Sequence, residues 1–165
     1  MSARSASKDC HVDLEHDQRM LEFVAFRFPM PHGQGLPDTP GAVEADAHGA
    51  LVAGHFAPSR WFAPNPAPET VGRLAALAER GLGVVCEVTG KWSRVSLRGR
   101  DSRRLLSNAA DLDLLFNERS VVATTLFDCP VILLQDRATW TVWVRRSVAE
   151  DFMAALCALG ATRGS

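Results

Sequence analysis

The stretch from Val84 to Leu159 constrains the fold most, because it passes through strand and helix patterns with very short links between them. An apolar run over 82–88 is typical of a buried strand, and the alternating residues 92–98 indicate another, which suggests a hairpin. Three more strand patterns are separated by two short turns, which favours an antiparallel meander: 121–127, 131–135 and 139–145. The capping box Ser147-Val148-Ala149-Glu150 predicts the start of a final helix.

The first half of the chain has a comparable mixture of elements. Strand patterns cover 21–28, 49–56 and 60–63, and a helix is predicted over 67–80. Strands and helices do not alternate regularly in either half. This order predicts an α+β fold with mixed or antiparallel sheets and packed helices, rather than a doubly wound parallel sheet. It is compatible with an internal duplication, although the residues themselves show no clear repeat.

The N-terminal region differs from the rest in composition. Residues 1 to about 20 are polar and mixed in charge, which predicts a disordered or partner-ordered arm. Proline and glycine crowd the following loop, residues 29–47, and interrupt regular structure there. We therefore divide the chain into an arm and linker, 1–47, and a folded α+β domain, 48–160.

Composition argues against several classes of protein. The net charge of -1 gives no overall field that would attract nucleic acid or an anionic membrane. No apolar run approaches the roughly 18 residues of a membrane span, and no apolar core of a signal peptide is present, so we expect a cytoplasmic protein. The four cysteines, Cys10, Cys86, Cys129 and Cys157, form no CxxC pair and are predicted to be reduced. Cys86, Cys129 and Cys157 lie in apolar patterns, which predicts buried, structural thiols.

No motif for catalysis or metal binding stands out. The sequence lacks GxSxG, GxGxxG after a strand and the GxxxxGK[ST] phosphate loop. A group in the arm around Cys10, His11 and His16 matches no standard spacing of metal ligands. His48 and His55 have no acid or nucleophile nearby in sequence, and an enzyme site assembled from them with distant acids is the weakest hypothesis. We predict no catalytic, cofactor-binding or metal residue in this chain.

A surface of tryptophan and arginine is the clearest candidate for function. Trp92 shares one face of its strand with Arg94 and Arg98, and Trp143 lies on the face opposite Trp140. Aromatic and arginine side chains are enriched at protein interfaces. With two exposed arginines of the helix predicted over 101–109, the candidate partner interface comprises Trp92, Arg94, Arg98, Arg103, Arg104 and Trp143. In the alternative interpretation, a helix covers this face and Trp143 belongs to the core.

Three runs together resemble a known family. They are SLRGRDSRRLLSNAADLDL, VVATTLFDCPVILL and VWVRRSVAEDFMAAL, and they are similar to the gamma subunit of heterotetrameric sarcosine oxidase. The resemblance covers about Val84 to Leu159 and falls on Leu97, Gly99, Leu105, Asp111 to Leu114, Thr125 to Leu134 and Arg146 to Glu150. The sequence departs from the family pattern at Arg100, where proline is usual, and at Val148, where an aromatic residue is common.

The resemblance implies a fold like the folate-binding domain of aminomethyltransferases, which is an α+β duplication. It also implies a complex that oxidises N-methyl amino acids such as sarcosine. In that family FAD and FMN lie on the beta subunit, NAD and tetrahydrofolate sites on the alpha subunit and zinc on the delta subunit. The gamma subunit carries no catalytic residue and packs against alpha, so the expected partners are alpha and, further, beta and delta.

Two functions follow from this. The first is a non-catalytic structural subunit of an oxidase of N-methyl amino acids. The alternative is a free-standing folate-binding or aminomethyltransferase-like protein of one-carbon metabolism.

Overall fold

The computed structural model describes residues 9–16, 18–31, 33–46, 51–109, 119–136 and 139–164. Its helices are α1 (Pro68–Glu79), α2 (Ser102–Ser107) and α3 (Ala149–Ala158), the last preceded by a 3-10 turn, Arg146–Val148. Its strands are β1 (His11–Glu15), β2 (Met20–Ala25), β3 (Val43–Ala45), β4 (Leu51–Ala57), β5 (Arg60–Pro64), β6 (Gly83–Glu87), β7 (Trp92–Arg98), β8 (Arg119–Leu126), β9 (Cys129–Asp136), β10 (Thr139–Arg145) and β11 (Thr162–Arg163). No helix among the described residues is long and apolar enough to cross a membrane.

The strands form two sheets. Sheet 1 has the order β3-β4-β5-β2-β6, and sheet 2 has the order β11-β1-β7-β10-β9-β8. Strands pair antiparallel throughout except β1 and β11, which run parallel. The predicted α+β class with mixed and antiparallel sheets is confirmed, and so is the antiparallel meander of β8, β9 and β10.

The two sheets share one topology. In each, a first strand (β2 or β7) pairs with the last strand of a three-stranded meander, and a helix then leads to a closing strand. The orders β6-β2-β5-β4-β3 and β11-β7-β10-β9-β8 correspond strand for strand, and β1 is inserted between β11 and β7. This is the arrangement that an internal duplication predicts. The residues conceal it because equivalent positions need only the same burial, not the same side chain.

The sheets pack face to face with helices outside them, giving four layers. Leu74 and Leu77 of α1 cover the outer face of sheet 1, and Phe152 and Leu156 of α3 cover that of sheet 2. Between the sheets lies a separate core formed by Met20, Phe56, Phe62, Trp92, Val121, Ile132, Leu134 and Trp143.

The centre of this inter-sheet core is an aromatic pair. The Phe62 and Trp143 rings meet edge to face, with centroids 4.8 Å apart. Gly54 allows the sheets to approach there, because an added Cβ would lie 2.6 Å from Cε1 of Phe62 and 3.2 Å from Cγ1 of Val121. The sheets therefore meet through their meanders, with β4 against β8.

Several sequence predictions are wrong here. Residues 11–15 of the predicted arm form β1, which pairs with β7, while Cys10 and Val12 are fully buried beneath α3 and α2. The predicted hairpin of 82–88 with 92–98 does not form, since β6 and β7 belong to different sheets. Glu150 does not cap α3, which begins at Ala149 without a side-chain cap, and it instead pairs with Arg163 of β11 at 3.2 Å.

The predicted boundary near residue 47 coincides with no break in the sheets. β2 and β3 lie in the range 1–47, and they pair with β4, β5 and β6 from the range 48–160. His48 and the segment Asp111 to Leu114, which the sequence analysis singled out, lie outside the described residues.

We expect Trp143→Ala to lower the free energy of unfolding by about 3–5 kcal/mol, because it empties the centre of the inter-sheet core. Urea unfolding of the purified chain measures this. The matched control is Phe26→Ala, whose ring is 66% exposed, and it should change stability by less than about 1 kcal/mol. Equal effects of the two substitutions would contradict the packing of the sheets described here.

Candidate functional site

The two tryptophans of the predicted interface are buried. Trp143 is 3% exposed and Trp92 is 9% exposed, and both belong to the core between the sheets. The prediction that they form an exposed aromatic surface is therefore wrong. The alternation pattern assigned both tryptophans to the face on which they lie. That face is covered by sheet 1, whereas the alternative interpretation expected a helix there.

The four arginines of the predicted interface lie in two separate places. Arg94 and Arg98 of β7 lie on the face of sheet 2 that turns toward sheet 1, at the end that sheet 1 does not cover. Arg94 pairs with Glu15 at 3.2 Å, and Arg98 pairs with Asp13 at 3.4 Å. Arg103 and Arg104 project from α2, whose leucines pack on the opposite face of sheet 2. The structure therefore does not bring the six predicted residues together as one surface.

A charged cluster that sequence reasoning missed lies at the mouth between the sheets. Glu22 on β2 is 4% exposed, and its carboxylate pairs with the guanidinium of Arg60 and lies 3.7 Å from Nζ of Lys91. Lys91 and Arg145 flank the Trp92 ring, at 5.6 Å and 4.7 Å from its centroid. One signal was available, since Glu22 interrupts the apolar run LEFVAF and a buried carboxylate requires cationic partners.

This cluster closes the sandwich rather than offering a reactive group. The buried carboxylate is held between two cations, so its oxygens are occupied by ion pairs. Arg145 is exposed and stacks over Trp92, its direct cross-strand neighbour. The contacts hold the Glu22 carboxylate between Arg60 and Lys91 and leave an excess of positive charge at the rim.

His55, the described member of the two candidate histidines, lies inside an aromatic box. It is fully buried, stacks on Trp61 with centroids 4.2 Å apart and meets Phe28 edge-on at 5.5 Å. Within the described chain, neither ring nitrogen makes a hydrogen bond of normal geometry. Burial lowers the pKa of His55, and the nearby backbone of Thr39 and Pro37 opposes that shift more weakly. The carboxylate of Asp38 also opposes the shift, and the buried ring has no contact with solvent.

The cysteines and acids offer no metal site in the described ranges. No group of three or more His, Cys, Asp or Glu side chains there could hold a metal ion. Cys10, which lies in the predicted arm, is buried, and its Sγ lies 3.4 Å from Oγ of Ser102, whereas Cys129 and Cys157 are half-buried. Cys86 is exposed, so the prediction of a buried thiol is wrong at that position, because β6 is an edge strand whose inner face sheet 2 does not reach.

We expect the chain to lose stability as the pH falls from about 7 to about 5. Because the pKa of His55 is lowered from 6.5 in the folded state, the unfolded chain takes up a proton that the folded chain does not. His55→Phe should reduce this pH dependence, measured by urea unfolding at several pH values. Phe26→Ala is the control, since the Phe26 side chain is 66% exposed and carries no titratable group, so its replacement should leave the dependence unchanged. An equal pH dependence in His55→Phe and the wild type would contradict this assignment.

Comparison with known proteins gives a structural match and no sequence match. No protein-family model and no curated protein matches the chain. A chain of heterotetrameric sarcosine oxidase from Corynebacterium sp. U-96, solved in complex with pyrrole 2-carboxylate, superimposes with a TM-score of 0.75 at 19% identity. The match covers 98% of this chain and 90% of that chain.

Two further solved structures match more weakly. The aspartokinase alpha and beta subunits give a TM-score of 0.45 at 11% identity, covering 90% of this chain and 96% of that one. The regulatory subunit of aspartate kinase from Thermus thermophilus, free of ligand, gives 0.46 at 14% identity, covering 93% and 99%. These scores are too low to carry an argument.

The match to the oxidase chain confirms the predicted resemblance to heterotetrameric sarcosine oxidase for the fold: this chain is folded like one of the chains of that oxidase.

Proposed function

We propose that this protein is a non-catalytic, structural subunit, equivalent to gamma, of a sarcosine-oxidase-type complex that oxidises N-methyl amino acids. One observation carries the proposal, namely the structural match that extends over 98% of this chain and 90% of the chain it resembles. The likeness therefore concerns an entire small chain of a heterotetramer, not a domain within a larger enzyme.

The residues that carry the sequence resemblance support a structural role. Leu97, Leu105 and Ala149 are each no more than 2% exposed and belong to the core beneath α2 and α3. Glu150 joins α3 to β11 through Arg163. The described residues of the sequence resemblance thus form the helical layer of sheet 2. This is what we expect of a subunit with a structural rather than a catalytic role.

The proposal assigns the cofactors to other chains. FAD, FMN, NAD, tetrahydrofolate and zinc would lie on partner subunits, and this chain would contribute no ligand to them. The duplicated α+β topology supports an aminomethyltransferase-like relationship of the fold, which we include in the proposal. The expected partners are an alpha subunit in direct contact and beta and delta subunits in the same assembly.

Purification of the tagged chain from its own organism tests the proposal. We expect the chain to elute with larger subunits, well above its own 17.9 kDa, together with a flavin absorbance band. The eluate should consume oxygen when sarcosine or another N-methyl amino acid is added, and not when glycine is added. The control is tagged Trp143→Ala, which disrupts the inter-sheet core and should recover less of the complex.

The opposite result is equally clear. A colourless monomer without oxidase activity would contradict the subunit function. If that monomer also bound reduced folates in a titration, the free-standing folate-binding protein would replace it.

A further inference from the structure

Exposed apolar side chains gather at one end of sheet 1. In the described ranges the exposed large hydrophobic residues are Phe26, Phe28 and Val84, at 66%, 43% and 36%. Val84 lies opposite Val24 in the pairing of β6 with β2, and the Phe26 amide donates to the Leu82 carbonyl at 3.0 Å. Scattered exposed hydrophobics are normal, but neighbouring ones mark a contact surface.

We define the β2–β6 strip as Val24, Phe26, Val84 and Cys86. Cys86 is exposed and lies opposite Glu22. It is two residues after Val84 in β6, so both side chains lie on the same face of the sheet. The strip lies on the face of sheet 1 that turns toward sheet 2. It is bare because the sheets overlap through their meanders, and sheet 2 does not extend over β6.

The duplication supplies an internal comparison. The equivalent end of sheet 2, formed by β7, β1 and β11, is also beyond the overlap, and there ion pairs face the solvent: Arg94 with Glu15 and Arg98 with Asp13. The β2–β6 strip has valine, phenylalanine and cysteine instead. Two equivalent uncovered ends therefore differ in chemistry, one suited to water and the other to an apolar partner.

The edge of sheet 1 is also open to an added strand. Among the residues that the structure describes, β6 is the last strand in the order of the sheet and pairs on one side, with β2. Its five residues, GVVCE, carry one charge, on Glu87 at the end of the strand, and no proline or lysine, and the pairing with β2 has no bulge. Proline, charged side chains and bulges are devices that protect an edge, and along Gly83 to Cys86 the strand has none of them.

Charge identifies the kind of partner. The rim beside the strip carries Arg60, Lys91 and Arg145 around the buried carboxylate of Glu22, and Arg19 pairs with Glu87 at the end of β6, so the cations named here outnumber the anions. Arg27, between the two exposed phenylalanines, is exposed as well. A complementary segment would be apolar at its centre and acidic at its flank.

We propose that the β2–β6 strip docks an extended, apolar and acidic segment of a partner protein, which adds a strand at β6 and places carboxylates against Lys91 and Arg145. This proposal rests on the proposed function, in which the chain is a subunit of a complex, and it adds the surface through which the chain assembles.

Cys86 reports directly on the strip. Alkylation with a maleimide, followed by peptide mass spectrometry, is compared between the chain alone and the purified complex. We expect Cys86 to react in the chain alone and to be protected about tenfold or more in the complex. The half-buried Cys129 and Cys157 are internal controls whose relative reactivity should change less. Protection of Cys86 by a second copy of this chain would overturn the proposal, because the occupant would then be wrong.

A pair of variants tests whether the strip contributes to affinity. Val84→Lys places a charge in the strip, and Thr125→Lys places one at an exposed position of β8, the edge strand of sheet 2. We expect Val84→Lys to reduce the yield of complex about tenfold and Thr125→Lys to leave it within about twofold. Circular dichroism of both chains should match the wild type. An equal loss in both variants, or in neither, would overturn the proposal.

Carbodiimide cross-linking tests the acidic character of the partner. The chain has two lysines, Lys8 and Lys91, so an amide bond from Lys91 is readily located. In the chain alone we expect a bond to Glu22, and in the complex a bond to an Asp or Glu of the partner.

The failures of the two proposals can be distinguished. A complex with sarcosine oxidase activity in which Cys86 stays reactive overturns the docking surface and keeps the subunit function. A complex without oxidase activity that protects Cys86 and cross-links to Lys91 overturns the subunit function and keeps the docking surface. A solitary chain overturns both.

Discussion

Phe62 and Trp143 meet edge to face between the two sheets, and the rest of the structure depends on that contact. Each sheet has an outer face covered by its own helix and an inner face that only the other sheet can cover. Gly54 lets the backbones come close enough for the aromatic rings to interlock. Because the overlap involves the meanders, the remaining strands of each sheet extend beyond it, and the two uncovered ends follow as a consequence of the packing.

Local patterns in the sequence predicted the elements well and their neighbours poorly. Alternation in β7 and β10 assigned Trp92 and Trp143 to their correct faces, because side-chain direction is set by the strand itself. What covers that face is a tertiary property, and here it is a second sheet formed largely from the first half of the chain. The polar arm was misread for a related reason. β1 alternates between charged residues and the buried Val12, and its pairing with β7 and β11 stabilises it more than its own propensity does.

The candidate site shows the same limit. Glu22 interrupts an apolar run and could have been recognised as a buried carboxylate, but its partners Arg60 and Lys91 are distant in sequence. His55 has no signal of its aromatic surroundings in the local sequence, because Trp61 and Phe28 come to it from other segments. The family resemblance was found through residues such as Leu97, Leu105 and Ala149, which are buried in the core. These residues form the core of sheet 2, and the fold they build matches that of a sarcosine oxidase chain over 98% of this chain.

Amide hydrogen exchange, compared between the chain alone and the complex proposed for it, tests this account most directly. Amides of β5 and β10, at the centre of the two sheets, should exchange slowly in both states. Amides of β6 that face away from β2 should exchange quickly in the chain alone and slowly in the complex, because a partner strand then pairs with them. Slow exchange of β6 in the chain alone, or equally fast exchange in both states, would contradict the claim that the sheets pack at their centres and that β6 is an open edge which pairs with a partner strand.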